Sequence, residues 1–442
     1  MMLPDYILAA ITRLEQAGFS AYAVGGCVRD WLLGRQPLDY DLCTNALPEQ
    51  IRQVFSDHRL VLAGLRHGTV SVVTDYGLVE ITTFRTEGGY GDTRHPDWVR
   101  FVDDIALDLS RRDFTINAMA FSPTRGLIDP FGGQEDLARG ILRCVGQPDL
   151  RFREDALRIL RGVRFAVRYR LSPEADTRDA MFRLTPLLDN LARERVFDEL
   201  CKLLPRVTPE DLLNFAPVIT QAIPELRCCI GFQQHSPYHN YDVYTHTAQV
   251  VGALPADPAL RFAGLLHDIG KPATFAPDAE GIGHFPEHAR VSAEMAGEIL
   301  RRLRASNAFR GRVVQLIEHH MIPMPPETKI LRRRLNQFGQ EVCSDLLVLQ
   351  KADRIGTGMG EDLSSFDEVA KLLTQLLEEE NCFSLKNLAL NGQDLVTAGF
   401  CPGKQLGTCL KWLLEQVIAQ ELPNEKSALL EAAIRFLQGS TY

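Results

Sequence analysis

The chain reads as an α+β protein, with a head carrying a small mixed β-sheet followed by an all-α body. Three observations predict this. Over roughly the first 145 residues, short alternating apolar runs are interspersed with helical periodicity. From Glu154 onward nearly every segment has helical spacing, and strand signals become scarce. The length, 442 residues, exceeds what one core fills; at about 150 residues per domain it suggests roughly three.

The elements follow in order. Residues 7–17 form an amphipathic helical pattern, and Ala21–Val24 a short strand that runs into Gly25-Gly26. Gly68–Val73 and Leu78–Thr83 alternate on either side of Asp75-Tyr76-Gly77, a hairpin signature. Val99–Val102, Ala118–Phe121 and Leu127–Asp129 fit further short strands. Pro205, Pro209 and Pro217 predict a break near 205–220, and Pro255 and Pro258 a second short connection. Helical patterns around 366–380 and 408–420 complete the chain. The expected boundaries are 1–145 for the head, 146–215 for a helical neck, 220–360 for a second helical domain and 361–442 for a helical tail.

Composition narrows the setting. With 45% hydrophobic and 24% charged residues the chain is globular rather than disordered. No apolar run reaches the roughly 18 residues that span a bilayer, so no membrane partner is expected. Asp5, Arg13 and Glu15 interrupt the first apolar stretch, unlike a secretory leader. The ten cysteines form no CxxC pair, which fits reduced thiols of a cytoplasmic protein and excludes a zinc ribbon. A net charge of −9 argues against a nonspecific DNA coat, so DNA is not expected as a partner; it leaves room for a local basic groove.

Chemistry concentrates first around residues 25–41. Gly25-Gly26 follows a strand and precedes a helical stretch, so its amides can approach a phosphate, with Arg29 close behind. Asp39 and Asp41, at i and i+2 on a strand, share a face and could hold divalent cations; two solvated edge aspartates would look the same. Glu80 interrupts the apolar strand Leu-Val-Glu-Ile-Thr-Thr, where a lone buried carboxylate is costly. Three carboxylates on neighbouring strands beside a glycine turn make a plausible two-metal phosphoryl-transfer site.

The run from Gly25 to Asp41 resembles the GG…RD…LLG…DxD motif of the class II tRNA nucleotidyltransferase and bacterial poly(A) polymerase family. Four further stretches match in order: Arg66–Val70, Arg111–Ala118, Asp129–Gly133 and Glu154–Arg158. Glu194-Arg195 resembles the family's next helical motif. The resemblance implies a polymerase-beta-like nucleotidyltransferase head and an RNA-binding neck. It implies addition of CMP, CMP and AMP from CTP and ATP to the tRNA 3′ end, without a nucleic-acid template and with Mg2+. Asp39 and Asp41 would hold the metals, with Glu80 as a third catalytic carboxylate. Gly25, Gly26, Arg29, Arg112, Asp113 and Asn117 would then hold the ribose and phosphates.

Asp155 and Arg158, at i and i+3, are expected on one side of a helix. A carboxylate accepts from an exocyclic amine and a guanidinium donates to ring acceptors, so the pair can read cytosine and adenine but not uracil or guanine. Residues 151–170 carry seven arginines against Glu154 and Asp155, and Arg161 and Arg164 are expected on phosphates. The Arg332-Arg333-Arg334 triplet would either meet tRNA backbone or form a solvated helix face. The glycine-rich stretch Thr86–Asp97 reads as a flexible loop, of a kind the family associates with adding the final A.

Eight of the eleven histidines fall between His235 and His320. Leu265–Pro272 resembles the signature of HD-family phosphohydrolases, and His246, His267, Asp268 and Asp353 would complete its metal ligands. Such a ligand set suits Mn, Ni, Fe, Zn or Mg. His288 and His319 or His320 are candidates for extra ligands or phosphate contacts. Two alternatives stay open: a poly(A) polymerase or A-adding RNA 3′-adenylyltransferase, and an HD phosphohydrolase for RNA ends.

Overall fold

The computed structural model describes residues 3–88, 98–237, 239–359, 362–378 and 384–439. The chain forms two units, Met1–Pro224 and Glu225–Tyr442.

The first unit is built on a seven-stranded sheet. Its strands are β1 (Ala21–Val24), β2 (Asp41–Thr44), β3 (Leu60–Val61), β4 (Thr69–Thr74), β5 (Gly77–Thr83) and, after a separate ladder of β6 (Arg85–Gly88) and β7 (Trp98–Phe101), β8 (Ala120–Ser122) and β9 (Gly126–Ile128). The spatial order is β3-β4-β5-β2-β1-β8-β9. Only β2 and β5 run parallel, and their register sets Asp41 opposite Glu80.

The helix Asp5–Gln16 covers one face because Ile7, Ala10, Ile11 and Leu14 recur at helical spacing and are all buried. They join Leu42, Val70, Val72, Val79 and Ile81 in one core. Burying each of the larger side chains stabilises the fold by about 1.5–3 kcal/mol. The sheet ends before Pro148. From there the unit is helical apart from Ser172–Pro173, which pairs in parallel with Ile141–Leu142, and Pro148–Glu154, Leu157–Tyr169 and Arg193–Leu203 are its principal elements around the site.

The second unit is helical apart from a two-residue ladder between Ala276–Pro277 and Gly283–His284. Helices Val243–Ala253, Pro258–Leu266 and Asn307–His319 pack with the long helix Thr328–Gly356, which is interrupted at Gly339 (φ +78°), and His288–Arg302 packs on Asn307–His319. Helices Gly392–Thr397, Lys404–Ile418 and Lys426–Gly439 close over a separate small core around Leu395, Leu413 and Leu429. Among the described residues no helix is long and apolar enough to cross a membrane.

Candidate functional site

In the first unit the candidate residues other than Glu80 converge on one cavity of about 480 Å³. One wall is the turn from β1 into the helix Gly26–Leu32. Gly25 adopts φ +73°, a left-handed backbone conformation that side-chain-bearing residues rarely take, so the turn favours glycine. The Gly25 amide, expected to face a phosphate, instead donates to the Met119 carbonyl at 3.0 Å. Gly26 also lines the cavity. Arg29 is buried, donates to Asn117 Oδ1 and to Asp30 Oδ1 (2.9 Å), and lies 4.3 Å from the Tyr169 ring centre.

Asp39 and Asp41 both line this cavity and are both exposed. Asp41 opens β2, whereas Asp39 precedes the strand, so the pair is not held by strand alternation as the spacing suggested. Glu80 also departs from expectation. Val79 and Ile81 take the core face of β5, which leaves Glu80 exposed on the other face. It stands opposite Asp41 in register but is not among the residues lining the cavity. The Asp41 carboxyl is raised above the usual carboxylate range by loss of water and by the Asp39 charge; Arg112 opposes this and Glu80 adds to it. Three carboxylates answered mainly by one arginine leave unbalanced negative charge, which fits divalent cations with oxygen ligands.

Behind them, the 3₁₀ turn Thr115–Asn117 buries a polar knot. Asp113 accepts from Asn117 Nδ2 (3.0 Å) and from Arg161 Nε and Nη2 (2.8 and 2.6 Å). Burial alone would raise the Asp113 carboxyl, but Arg161 and the Asn117 hydrogen bond win and hold it at about 2. The helix Leu157–Tyr169 turns Arg158, Arg161, Arg164 and Arg168 toward the same cavity, as their spacing predicts. Arg161 and Arg164 are nonetheless already paired, with Asp113 and Glu199 (2.6 Å) respectively. Any phosphate would have to share them.

The Asp155–Arg158 pair lines the cavity but is not a helical i, i+3 pair. The chain breaks between Pro148–Glu154 and Leu157–Tyr169, and Asp155 is extended (φ −143°, ψ 103°). It accepts from the Leu157 amide at 3.0 Å and from Arg195 Nη1 and Nη2 at 3.2 and 2.7 Å. Arg158 pairs with Glu154 (2.7 Å) and donates to the Arg151 and Arg111 carbonyls (3.3 and 3.0 Å). Its Nε–H and one Nη2–H have no partner among these hydrogen bonds. Arg195, Arg111 and Arg168 line the cavity too, though the sequence assigned them no role. Arg195 sat in a matched motif, but its partner lies 40 residues away and only tertiary structure reveals it.

In the second unit the buried His246, His267 and Asp268 form one cluster with the half-buried Asp353. His246 Nε2 lies 3.2 Å from Asp268 Oδ2 and 3.0 Å from Asp353 Oδ1; His267 Nε2 lies 3.2 and 3.5 Å from the same atoms. Lys271 Nζ reaches Asp268 Oδ2 at 2.7 Å. Burial disfavours a charged His267, yet the two carboxylates overcome it and push the imidazole up to about 10. The acids thus demand a positive charge that a metal ion could supply, and the donors fit one. His320 is buried beside Asp268 and held down to about 4, first by burial and then by His267; His319 instead packs on Phe338. Asp268, Lys271, His288, His320 and Asp353 line a cavity of about 600 Å³ with Phe285, Phe366 and Arg354.

Arg332-Arg333-Arg334 does not form one basic patch, because Arg332 is only 6% exposed. Residues 89–97 of the expected flexible loop lie outside the described residues; Arg85–Gly88 before them pairs with Trp98–Phe101 after them.

Residues 21–143 match the family model for the poly A polymerase head domain, 170–213 that for a probable RNA and SrmB-binding site of polymerase A, and 280–433 a putative tRNA nucleotidyltransferase domain 2. The CCA-adding enzyme of Ligilactobacillus salivarius is 32% identical over 99% of this chain and 98% of its own length. That of Levilactobacillus brevis is 34% identical over 95% and 94%. The crystal structure of the Bacillus stearothermophilus CCA-adding enzyme in complex with CTP superposes with a TM-score of 0.74 at 28% identity, covering 99% of both chains. With relatives of this identity over nearly its whole length, the chain belongs to the family of CCA-adding enzymes.

Proposed function

We propose that this protein adds CMP, CMP and AMP from CTP and ATP to the tRNA 3′ end in the cytoplasm, using one nucleotide site in the head. The observation that supports it most is that Asp39, Asp41, Asp155 and Arg158 line a single cavity. Full-length similarity to CCA-adding enzymes supports it independently.

Asp39 and Asp41 would hold the divalent cations, whose chemistry is to activate the RNA 3′-hydroxyl and neutralise the departing pyrophosphate. Glu80, opposite Asp41, adds negative charge beside them. Arg29, Arg112 and Asn117 bind the triphosphate and ribose, and Asp113 fixes the positions of Asn117 and Arg161. Little covalent work is asked of the protein, so positioning and charge neutralisation dominate. Arg195 orients Asp155, while Glu154 and two carbonyls orient Arg158. Asp155 retains lone pairs for an exocyclic amine, and the two free Arg158 donors meet the adjacent ring acceptor. That register accepts cytosine and adenine alone.

Purified protein given tRNA lacking CCA should add two CMP with CTP alone and the complete CCA with CTP and ATP, read by sequencing the 3′ ends. Absence of CMP incorporation contradicts this reading.

The His246–His267–Asp268–Asp353 cluster supports a second activity, an HD-type phosphohydrolase acting on RNA ends with a bound divalent metal. Its donors fit Mn, Ni, Fe, Zn or Mg.

A further inference from the structure

Six side chains form a line of hydrogen bonds that begins and ends on one helix. Tyr169 Oη donates to Asp30 Oδ1 at 3.0 Å, and the same oxygen accepts from Arg29 Nε and Nη2, both at 2.9 Å. Arg29 Nη1 donates to Asn117 Oδ1, and Asn117 Nδ2 to Asp113 Oδ1 at 3.0 Å; Arg161 closes the line on Asp113 Oδ2. Arg161 and Tyr169 both belong to the helix Leu157–Tyr169, eight residues and therefore about 12 Å apart along its axis. Between these two anchors hang Arg29 and Asn117, which line the cavity.

Tyr169 also meets Arg29 directly. Its ring centre lies 4.3 Å from the guanidinium carbon, within reach of the attraction between a cation and an aromatic face. Tyr169 is 7% exposed and Arg29 5%, so water does little to weaken the contact. Arg35 and Arg168 approach the same ring at 5.2 and 5.3 Å, and among the described residues neither pairs with a carboxylate. Guanidiniums gathered this closely repel one another, and the ring offsets that repulsion where acids do not. Asp30 and Asn117 take three of the five N–H groups of Arg29, which leaves one hydrogen on each of Nη1 and Nη2 for a phosphate oxygen.

We propose that Tyr169 is a positioning residue for the incoming nucleotide: its ring on Arg29 and its hydroxyl on Asp30 together aim the two free Arg29 donors at the triphosphate. This deepens the reading that the cavity takes CTP and ATP, and rests on it. Tyr169 ends the helix that carries Arg158 in its first turn, eleven residues away. Its effect therefore falls on the phosphates and not on the choice of base.

The test is titration of the full chain with CTP and Mg2+, inhibition by cytidine, and steady-state CMP incorporation into tRNA lacking CCA. Tyr169→Leu should weaken CTP binding and raise KM for CTP about tenfold, with kcat within about threefold of the parent. Tyr169→Phe keeps the ring and loses the bond to Asp30, so the rise should shrink to about two- to threefold. Inhibition by cytidine, which carries no phosphate, and exclusion of UTP should shift by less than about twofold in both variants. In a chain already carrying Arg29→Gln, Tyr169→Leu should add less than about twofold to the loss of CTP affinity, because its effect passes through Arg29. An unchanged KM for CTP in either variant, equal weakening of cytidine, or a full further loss on top of Arg29→Gln overturns the proposal. A parent chain that does not bind CTP defeats instead the nucleotide-site reading beneath it. The Tyr169→Phe chain decides the matter even if Tyr169→Leu does not fold.

Discussion

The two cavities use acids in opposite ways. In the head, Asp39 and Asp41 are exposed, stand beside like charges, and have no histidine among the residues that share their cavity. In the second unit, Asp268 is 1% exposed and stands among imidazoles, three of which, His267, His288 and His320, have their far nitrogens tied to backbone carbonyls. Exposed carboxylates suit a hydrated Mg2+ that arrives and leaves with a triphosphate. Buried, pre-oriented imidazoles suit a resident transition ion. On the proposed reading, the contrast would separate a site that exchanges its metal with each triphosphate from one that retains it.

The largest expected effect separates the sites outright. Asp39→Ala with Asp41→Ala should lower CMP incorporation by about 10³-fold or more while leaving metal content at the histidine cluster unchanged. His267→Ala or Asp268→Ala should do the reverse, abolishing cleavage of a 2′,3′-cyclic phosphate while CCA addition stays within about twofold, since independent sites add. Loss of both activities in either variant would mean that the histidine cluster chiefly supports the fold.

A smaller effect sharpens the account of the head. Arg158→Ala should relax exclusion of UTP and GTP by about 10- to 100-fold, the equivalent of one bidentate base contact. Arg195→Ala should weaken discrimination less, by raising the misincorporation ratio more than it lowers kcat, because Asp155 survives but loses its orientation; Arg195→Lys should restore part of it. Unchanged discrimination in Arg158→Ala would break the templating role.

The smallest effect is on stability. The Asp113 carboxyl lies at about 2 when folded against an ordinary 3.8. Its contribution, on the order of 2 kcal/mol, is therefore present above pH 3.8 and lost as pH falls through about 2. Denaturant unfolding between those values should show a shallower acid loss in Asp113→Asn than in the parent.

Much of this contrast was legible in the residues. The arginine stripe of Leu157–Tyr169 follows from spacing alone, and so does the core face of Asp5–Gln16. The histidine cluster announced itself by density within one stretch of chain. The failures share a cause: local spacing does not report where a helix breaks or which distant group answers a charge. Asp155 sits in a break rather than on a helix, so its partner is Arg195 and not Arg158. Glu80 looked buried because its neighbours are apolar, yet the two-residue alternation of β5 puts it on the other face. Gly25 suggested a phosphate, but its amide closes the sheet against Met119.

The central claim is that one cavity holds both ends of the nucleotide. Crystals soaked with Mn(II) and 5-bromo-CTP test it in a single anomalous difference map. The account predicts a manganese peak at Asp39 and Asp41 and a bromine peak beside Asp155 and Arg158 in the same cavity. Bromine on another surface, with those two side chains empty, would contradict it.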